Sequence, residues 1–183
     1  MGKILEKDIK NVLLTKEQIE KRVAEMGKQI SEDYAGKDII MVGILRGAAI
    51  FYADLAREIS LPVHMNFMAI SSYDLSSISS GAVRINYDLE EDITGKDVII
   101  VEDIIDTGLT LKYLYENLEA RGPKSLKTCC CLDKPSRRKV EFKPDYVGFE
   151  VPDEFIVGYG LDYAQKYRNL EYLGALKEEI YRC

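Results

Sequence analysis

A chain of 183 residues, 46% of them hydrophobic, is long enough to bury one sizeable core without disulfide support. Its 25 Lys and Arg against 31 Asp and Glu leave a net charge of −6, which disfavours non-specific nucleic-acid binding, since a phosphate backbone demands a basic face. No segment repeats, no apolar run reaches the roughly 20 residues of a membrane span, and none opens the chain as a signal peptide, so a soluble protein without membrane or nucleic-acid partners is expected.

In chain order, Thr15 with Gln18 three residues later makes a capping box. It opens a helix that carries Ile19, Val23, Met26 and Ile30 on one face and ends near Gly36. Residues 38–45 form a nearly continuous apolar run, the pattern of a strand buried on both faces. Arg46-Gly47-Ala48 is a tight turn into a helix over 49–59, with Phe51, Leu55 and Ile59 at core spacing. Residues 63–70 read as a second strand. The stretch 71–81 contains six serines and reads as polar and flexible, and 83–89 resumes an alternating strand pattern. A turn at Thr94-Gly95-Lys96 leads into an apolar strand from Asp97. A helix over 110–121 follows, stopped by Gly122-Pro123. Strands are expected at 126–132, 146–150 and 155–159. Strands alternating with helices across short loops indicate an α/β domain with a mainly parallel sheet flanked by helices.

Cys129, Cys130 and Cys131 are consecutive, so on a strand their side chains alternate between faces and cannot converge on one metal. Reduced thiols in a core strand fit a reducing cytoplasm. The one histidine, His64, lies in an apolar stretch without a partner for nucleophilic chemistry. The trio Arg137, Arg138 and Lys139 reads as a solvated surface patch.

Chemistry concentrates at 98–110, where Glu102, Asp103 and Asp106 lie at the carboxyl end of a buried strand and in the loop that follows. Ligands of open parallel sheets bind at that end. The turn Asp106-Thr107-Gly108-Leu109-Thr110 at a helix N-terminus is an anion cradle, with two hydroxyls adding donors. Glu102 and Asp103 could hold sugar hydroxyls or a hydrated Mg²⁺. No GxxxxGK[ST] motif is present, and the single Asp-Thr-Gly has no second copy to form an aspartic-protease dyad.

This segment, Val-Glu-Asp-Ile-Ile-Asp-Thr-Gly-Leu-Thr, resembles the diphosphate-sugar signature of the type I phosphoribosyltransferases, and most closely their 6-oxopurine branch, the hypoxanthine-guanine enzymes. The resemblance continues through Leu45-Arg46-Gly47, Ser72-Tyr73, Lys134, residues 143–163 and Arg168. It implies a single domain over 1–183, with a small hood built from about 1–14 and 134–183 and a mobile active-site loop over 71–82. The implied activity is purine salvage: the phosphoribosyl group of 5-phosphoribosyl 1-diphosphate passes to N9 of hypoxanthine or guanine, with Mg²⁺ as cofactor, in a homodimer or homotetramer.

By the same resemblance, Asp106 handles the purine N7 proton, while Glu102, Asp103 and Asp162 serve the metal. Asp106, Thr107, Gly108, Leu109 and Thr110 cradle the 5′-phosphate. Arg46, Gly47 and Arg168 hold the diphosphate, and relatives often show a non-proline cis peptide at the first of these. Lys134, Phe155, Ile156 and Asp162 face the purine, with Lys134 donating to O6. Ser72 and Tyr73 belong to the lid. The chain departs from relatives in carrying Leu109 and Arg46 where lysines are common. A xanthine-preferring relative is the alternative within the enzyme class. A regulator that uses the sugar diphosphate to control RNA or DNA binding is the alternative outside it, and the acidic balance speaks against that one.

Overall fold

The computed structural model describes residues 3–72 and 83–182. In chain order these form α1 (Lys3–Glu6), β1 (Ile9–Leu14), α2 (Lys16–Asp33), β2 (Ile39–Leu45), α3 (Ala49–Glu58), β3 (Val63–Ser72) and β4 (Val83–Tyr87). There follow β5 (Asp97–Ile105), α4 (Leu109–Glu119), β6 (Ser125–Asp133), a 3₁₀ turn at Pro135–Arg137, β7 (Tyr146–Glu150), β8 (Ile156–Val157), β9 (Leu173–Leu176) and α5 (Glu178–Tyr181). The main sheet has six strands in the order β4-β3-β2-β5-β6-β7. All its pairings are parallel except β3 with β4.

Helices cover both faces of this sheet, and the alternation of side chains along each strand sorts the core into two halves. Ile39 and Met41 of β2, Ile99 and Val101 of β5, and Cys129 and Cys131 of β6 pack with Ile19, Val23, Met26 and Ile30 of α2 and with Phe51 and Leu55 of α3. Ile40, Val42, Val98, Ile100 and Cys130 point the other way, onto Leu111, Leu114 and Leu118 of α4. The cysteine triplet is therefore split between the two faces, and burial pushes all three thiols up, far from the thiolate range. The α2 cap forms as the sequence predicts: the Gln18 amide donates to Thr15 Oγ1 at 3.3 Å, and the Thr15 amide donates to Gln18 Oε1 at 2.9 Å.

The second sheet draws on both ends of the chain, as β1-β9-β8, all antiparallel. The strand predicted over 155–159 shrinks to Ile156–Val157. Gly158 (φ 100), Tyr159 (φ 45) and Gly160 (φ 102) take left-handed backbone, which ends the extended run and bends the chain toward the carboxyl edge of the main sheet. Residues 73–82, with Tyr73 and most of the expected lid, lie outside the described residues. Among the described residues no helix is long and apolar enough to cross a membrane.

Candidate active site

Because β2, β5 and β6 run parallel, their carboxyl ends deliver three loops to one edge: Arg46-Gly47 after β2, Asp106–Thr110 after β5 and Lys134 after β6. At the centre stand Glu102 and Asp103, near the end of β5. Burial, and then the neighbouring charge of Asp103, holds the Glu102 carboxyl well above the usual range. Burial also raises Asp103, although a hydrogen bond shared with Glu102, the bond from the Ile104 amide at 2.7 Å and the nearby Arg168 charge oppose that rise. Glu102 Oε2 is buried with no hydrogen-bond partner among the described residues. An unpartnered acid in such a place is costly unless a cation or ligand hydroxyl completes it.

The β2 loop packs directly on this pair. A Cβ on Gly47 would lie 1.5 Å from Asp103 Oδ2, and one on Gly160 would lie 2.1 Å from the Gly47 carbonyl oxygen, so three segments meet where only glycine fits. The Leu45–Arg46 peptide is cis, a point that the sequence left open. Arg46 donates to Gln165 Oε1 at 3.1 Å. Arg168 donates to the Gly160 carbonyl at 2.7 Å and pairs with Asp162 Oδ1 at 2.6 Å. Asp162 Oδ2 accepts from the Gln165 amide at 2.8 Å. Thus Arg46, Gly47, Arg168 and Asp162, far apart in sequence, converge on the turn at 160–168.

Next to the acids is a cavity of about 210 Å³ lined by Glu102, Asp103, Asp106, Thr107, Gly108 and Thr110. Gly108 caps α4 in a left-handed conformation (φ 80) and offers no side chain to the helix, and Thr107 Oγ1 accepts from the Leu109 amide only at 3.4 Å. The contrast with α2, whose cap is filled by Thr15, matters: past Leu109 the leading amides of α4 remain available to an anion. A larger cavity, about 560 Å³, extends from Asp103 and Asp106 to Lys134, Phe155, Ile156 and Asp162. Ile104 and Leu161 add apolar walls to it. Lys134 is held at both ends, its amide donating to the Ile105 carbonyl at 2.9 Å and Nζ to the Glu154 carbonyl at 2.5 Å. Burial lowers its pKa, opposed by the charges of Asp106 and Asp153. The Phe155 ring stacks on Tyr181 at 4.7 Å and meets Tyr163 edge-on at 5.5 Å.

The sequence reading missed several of these groups. Arg137 and Arg138 are not a free surface patch. Arg137 Nε lies 2.7 Å from Asp106 Oδ1 and its NH1 lies 3.3 Å from Asp153 Oδ1, while Arg138 pairs with Asp133 and donates to the Asp106 carbonyl at 3.1 Å. Their aspartate partners are supplied by other strands and loops, which is why the local run of cations looked merely solvated. Tyr181, which ends a four-residue helix with little sequence signal, and Arg182 just after it also line the larger cavity. His64 bonds Glu91 at 3.2 Å and lines neither cavity.

Comparison with known proteins then decides the family. Residues 11–164 match the phosphoribosyl transferase domain. Curated hypoxanthine-guanine phosphoribosyltransferases from Mycobacterium avium and Bacillus subtilis are 50% and 49% identical over 181 and 178 residues, which is 96% and 97% of this chain and 89% and 99% of theirs. The chain belongs to the phosphoribosyltransferase family, in its hypoxanthine-guanine branch. It is a phosphoribosyl-transferring enzyme of purine salvage. A crystal structure of a hypoxanthine phosphoribosyltransferase from Staphylococcus aureus superposes on this transferase with a TM-score of 0.96 at 47% identity, covering 100% of both chains. The matched domain contains every residue of the transferase's acidic pair and anion loop, while Arg168 and Tyr181 lie beyond it.

Proposed function

We propose that this cleft transfers the 5-phosphoribosyl group of 5-phosphoribosyl 1-diphosphate to N9 of hypoxanthine or guanine, releasing diphosphate and forming IMP or GMP. The smaller cavity takes the 5′-phosphate on Thr107–Thr110 and the uncapped amides of α4. Arg46, Gly47 and Arg168 take the diphosphate, with guanidinium forks suited to its oxygens. The larger cavity takes the purine flat against Phe155, with Ile104 and Leu161 as apolar walls and the Ile156 backbone at its edge. Lys134 donates to O6. Because an ammonium carries donors only, the exocyclic amine of adenine at that place would go unpaired. Asp106 accepts the N7 hydrogen, stabilising the base as its N9 bonds to the cationic sugar carbon. The small sheet serves as a hood over the purine, and a lid starting at Ser72 excludes water.

Mg²⁺ fits the acidic pair: Glu102 Oε2 lacks any partner among the described residues, and burial raises both carboxyls. No three His, Cys, Asp or Glu side chains cluster into a metal cage among the described residues, which suits a cation held by one or two carboxylates together with substrate oxygens. Glu102 and Asp103 would hold it beside the ribose hydroxyls. Asp162 would join only by leaving Arg168. When bound, the ion would neutralise charge growing on the departing diphosphate. The buried reduced thiols suit a cytoplasmic enzyme, and a homodimer or homotetramer is the expected assembly.

The observation that carries this reading is the buried Glu102–Asp103 pair set between Gly47 and the N-terminus of α4. Spectrophotometric turnover with Mg²⁺ tests it: hypoxanthine or guanine should be consumed and adenine should not. Asp106→Asn should keep its affinity for the sugar diphosphate while losing most of its rate. Adenine turnover at a comparable rate would remove the role given to Lys134. Absence of any calorimetric heat with the sugar diphosphate and Mg²⁺ would sink the reading as a whole.

A further inference from the structure

Asp106 is pinned from three directions. Its carbonyl accepts from Arg138, the preceding carbonyl of Ile105 accepts from the Lys134 amide, and the following carbonyl of Thr107 accepts from the Lys139 amide at 2.9 Å. The backbone is thereby fixed, and the direction of the carboxylate is the freedom that remains. Arg137 acts on that freedom. Its Nε sits 2.7 Å from Asp106 Oδ1 and its NH1 3.3 Å from Asp153 Oδ1, all three residues lining the larger cavity. Oδ1 is shielded from solvent, and among the described residues the Arg137 guanidinium is the cation against it. The side chain as a whole stays 42% exposed, open to the cavity that it lines.

We propose that Arg137 is a positioning residue for the transfer, clamping the Asp106 carboxylate against Asp153 so that it meets the purine N7 hydrogen. The inference rests on the assignment of Asp106 made above. A carboxylate on a single Cα–Cβ and Cβ–Cγ hinge otherwise samples several rotamers, and only one of them faces the base. The guanidinium is suited to this bridging because its planar fork presents Nε to one acid and NH1 to the other in fixed geometry, whereas lysine offers a single nitrogen. The charge of Arg137 is shared between two aspartates, so the purine is not forced to displace a dedicated counter-ion.

The test is a double-mutant cycle of Arg137→Met and Asp106→Asn in the full chain, with steady-state kinetics in hypoxanthine and sugar diphosphate. Arg137→Met should lower kcat roughly 10- to 100-fold, the scale of a misplaced reacting group, while leaving the KM for sugar diphosphate unchanged. In the Asp106→Asn background the same change should cost nothing further, because the group that it positions is already gone. Arg137→Lys should recover part of the rate. Thermal melting of each variant checks that the fold persists. A wild-type kcat in Arg137→Met overturns the proposal, as does a full additional loss in the double variant. If Asp106→Asn itself keeps the wild-type rate, the assignment of Asp106 falls, and this proposal falls with it.

Discussion

Replacing Gly47 by alanine adds one methyl group where the structure has no room. The new carbon would lie 1.5 Å from Asp103 Oδ2 and 2.6 Å from its Cγ. A relaxed carbon–oxygen contact is roughly 3.3 Å, so the carboxylate or the β2 loop must retreat by about 2 Å. Gly47 does not use left-handed backbone, so alanine can adopt its φ and the effect is purely steric. Crowding of this kind typically costs about 1–3 kcal/mol of stability. The functional loss should be larger, because displacement by 1 Å at a reacting centre can cost about 100-fold in rate. The expected outcome is a fall of at least roughly 100-fold in kcat/KM for the sugar diphosphate, with a lowered melting temperature but a folded protein. Gly95→Ala is the control: it strains a left-handed turn (φ 68) with open space around it, at the far end of β5, and should cost stability while sparing kcat/KM. If Gly47→Ala binds the sugar diphosphate with Mg²⁺ as tightly as wild type by calorimetry, the packing of this loop on the acids does not govern the site.

Tyr181→Ala should raise the KM for the purine roughly 2- to 10-fold with kcat unchanged, since an aromatic pair contributes about 0.5–1.5 kcal/mol and its loss frees the Phe155 ring; an unchanged KM would exclude the tail from the base site. Lys134 makes stability depend on pH in the alkaline range. Below its lowered folded pKa the ammonium is charged in both states and the burial cost is felt in full. Between that value and 10.5 the unfolded chain binds the extra proton, so wild type gains stability relative to Lys134→Met as pH rises. Denaturant titrations across that window check the sign, and a difference that falls with pH would contradict it. Burial pushes the thiols of Cys129, Cys130 and Cys131 up, so in a Cys183→Ser background a thiol reagent should label the native protein only as fast as it unfolds. Rapid labelling of the native protein would mean that β6 is not the closed core strand described.

The local code carried much of the architecture. Apolar runs that are continuous rather than alternating belong to strands covered on both faces, and 38–45 and 97–105 are such strands, β2 and β5, in a parallel sheet. The Thr15 cap, the Gly122-Pro123 stop and the alternating cysteines follow from short-range geometry and appear as expected. The acidic pair and the Thr-Gly turn were legible because their chemistry lies within ten consecutive residues.

Tertiary structure decided everything that depends on groups distant in sequence. The stretch 155–159 has the composition of a strand, yet Gly158 and Gly160 bend it so that Gly160 can lie against Gly47. Arg137 and Arg138 read locally as a basic patch, and only the fold brings Asp106 and Asp153 to them. Tyr181 gains its place through Phe155, more than twenty residues upstream. Periodicity and turn chemistry act over a few residues and are written in order along the chain. Ion pairing and ring stacking act through space, between partners whose meeting is set by the packing of the whole domain.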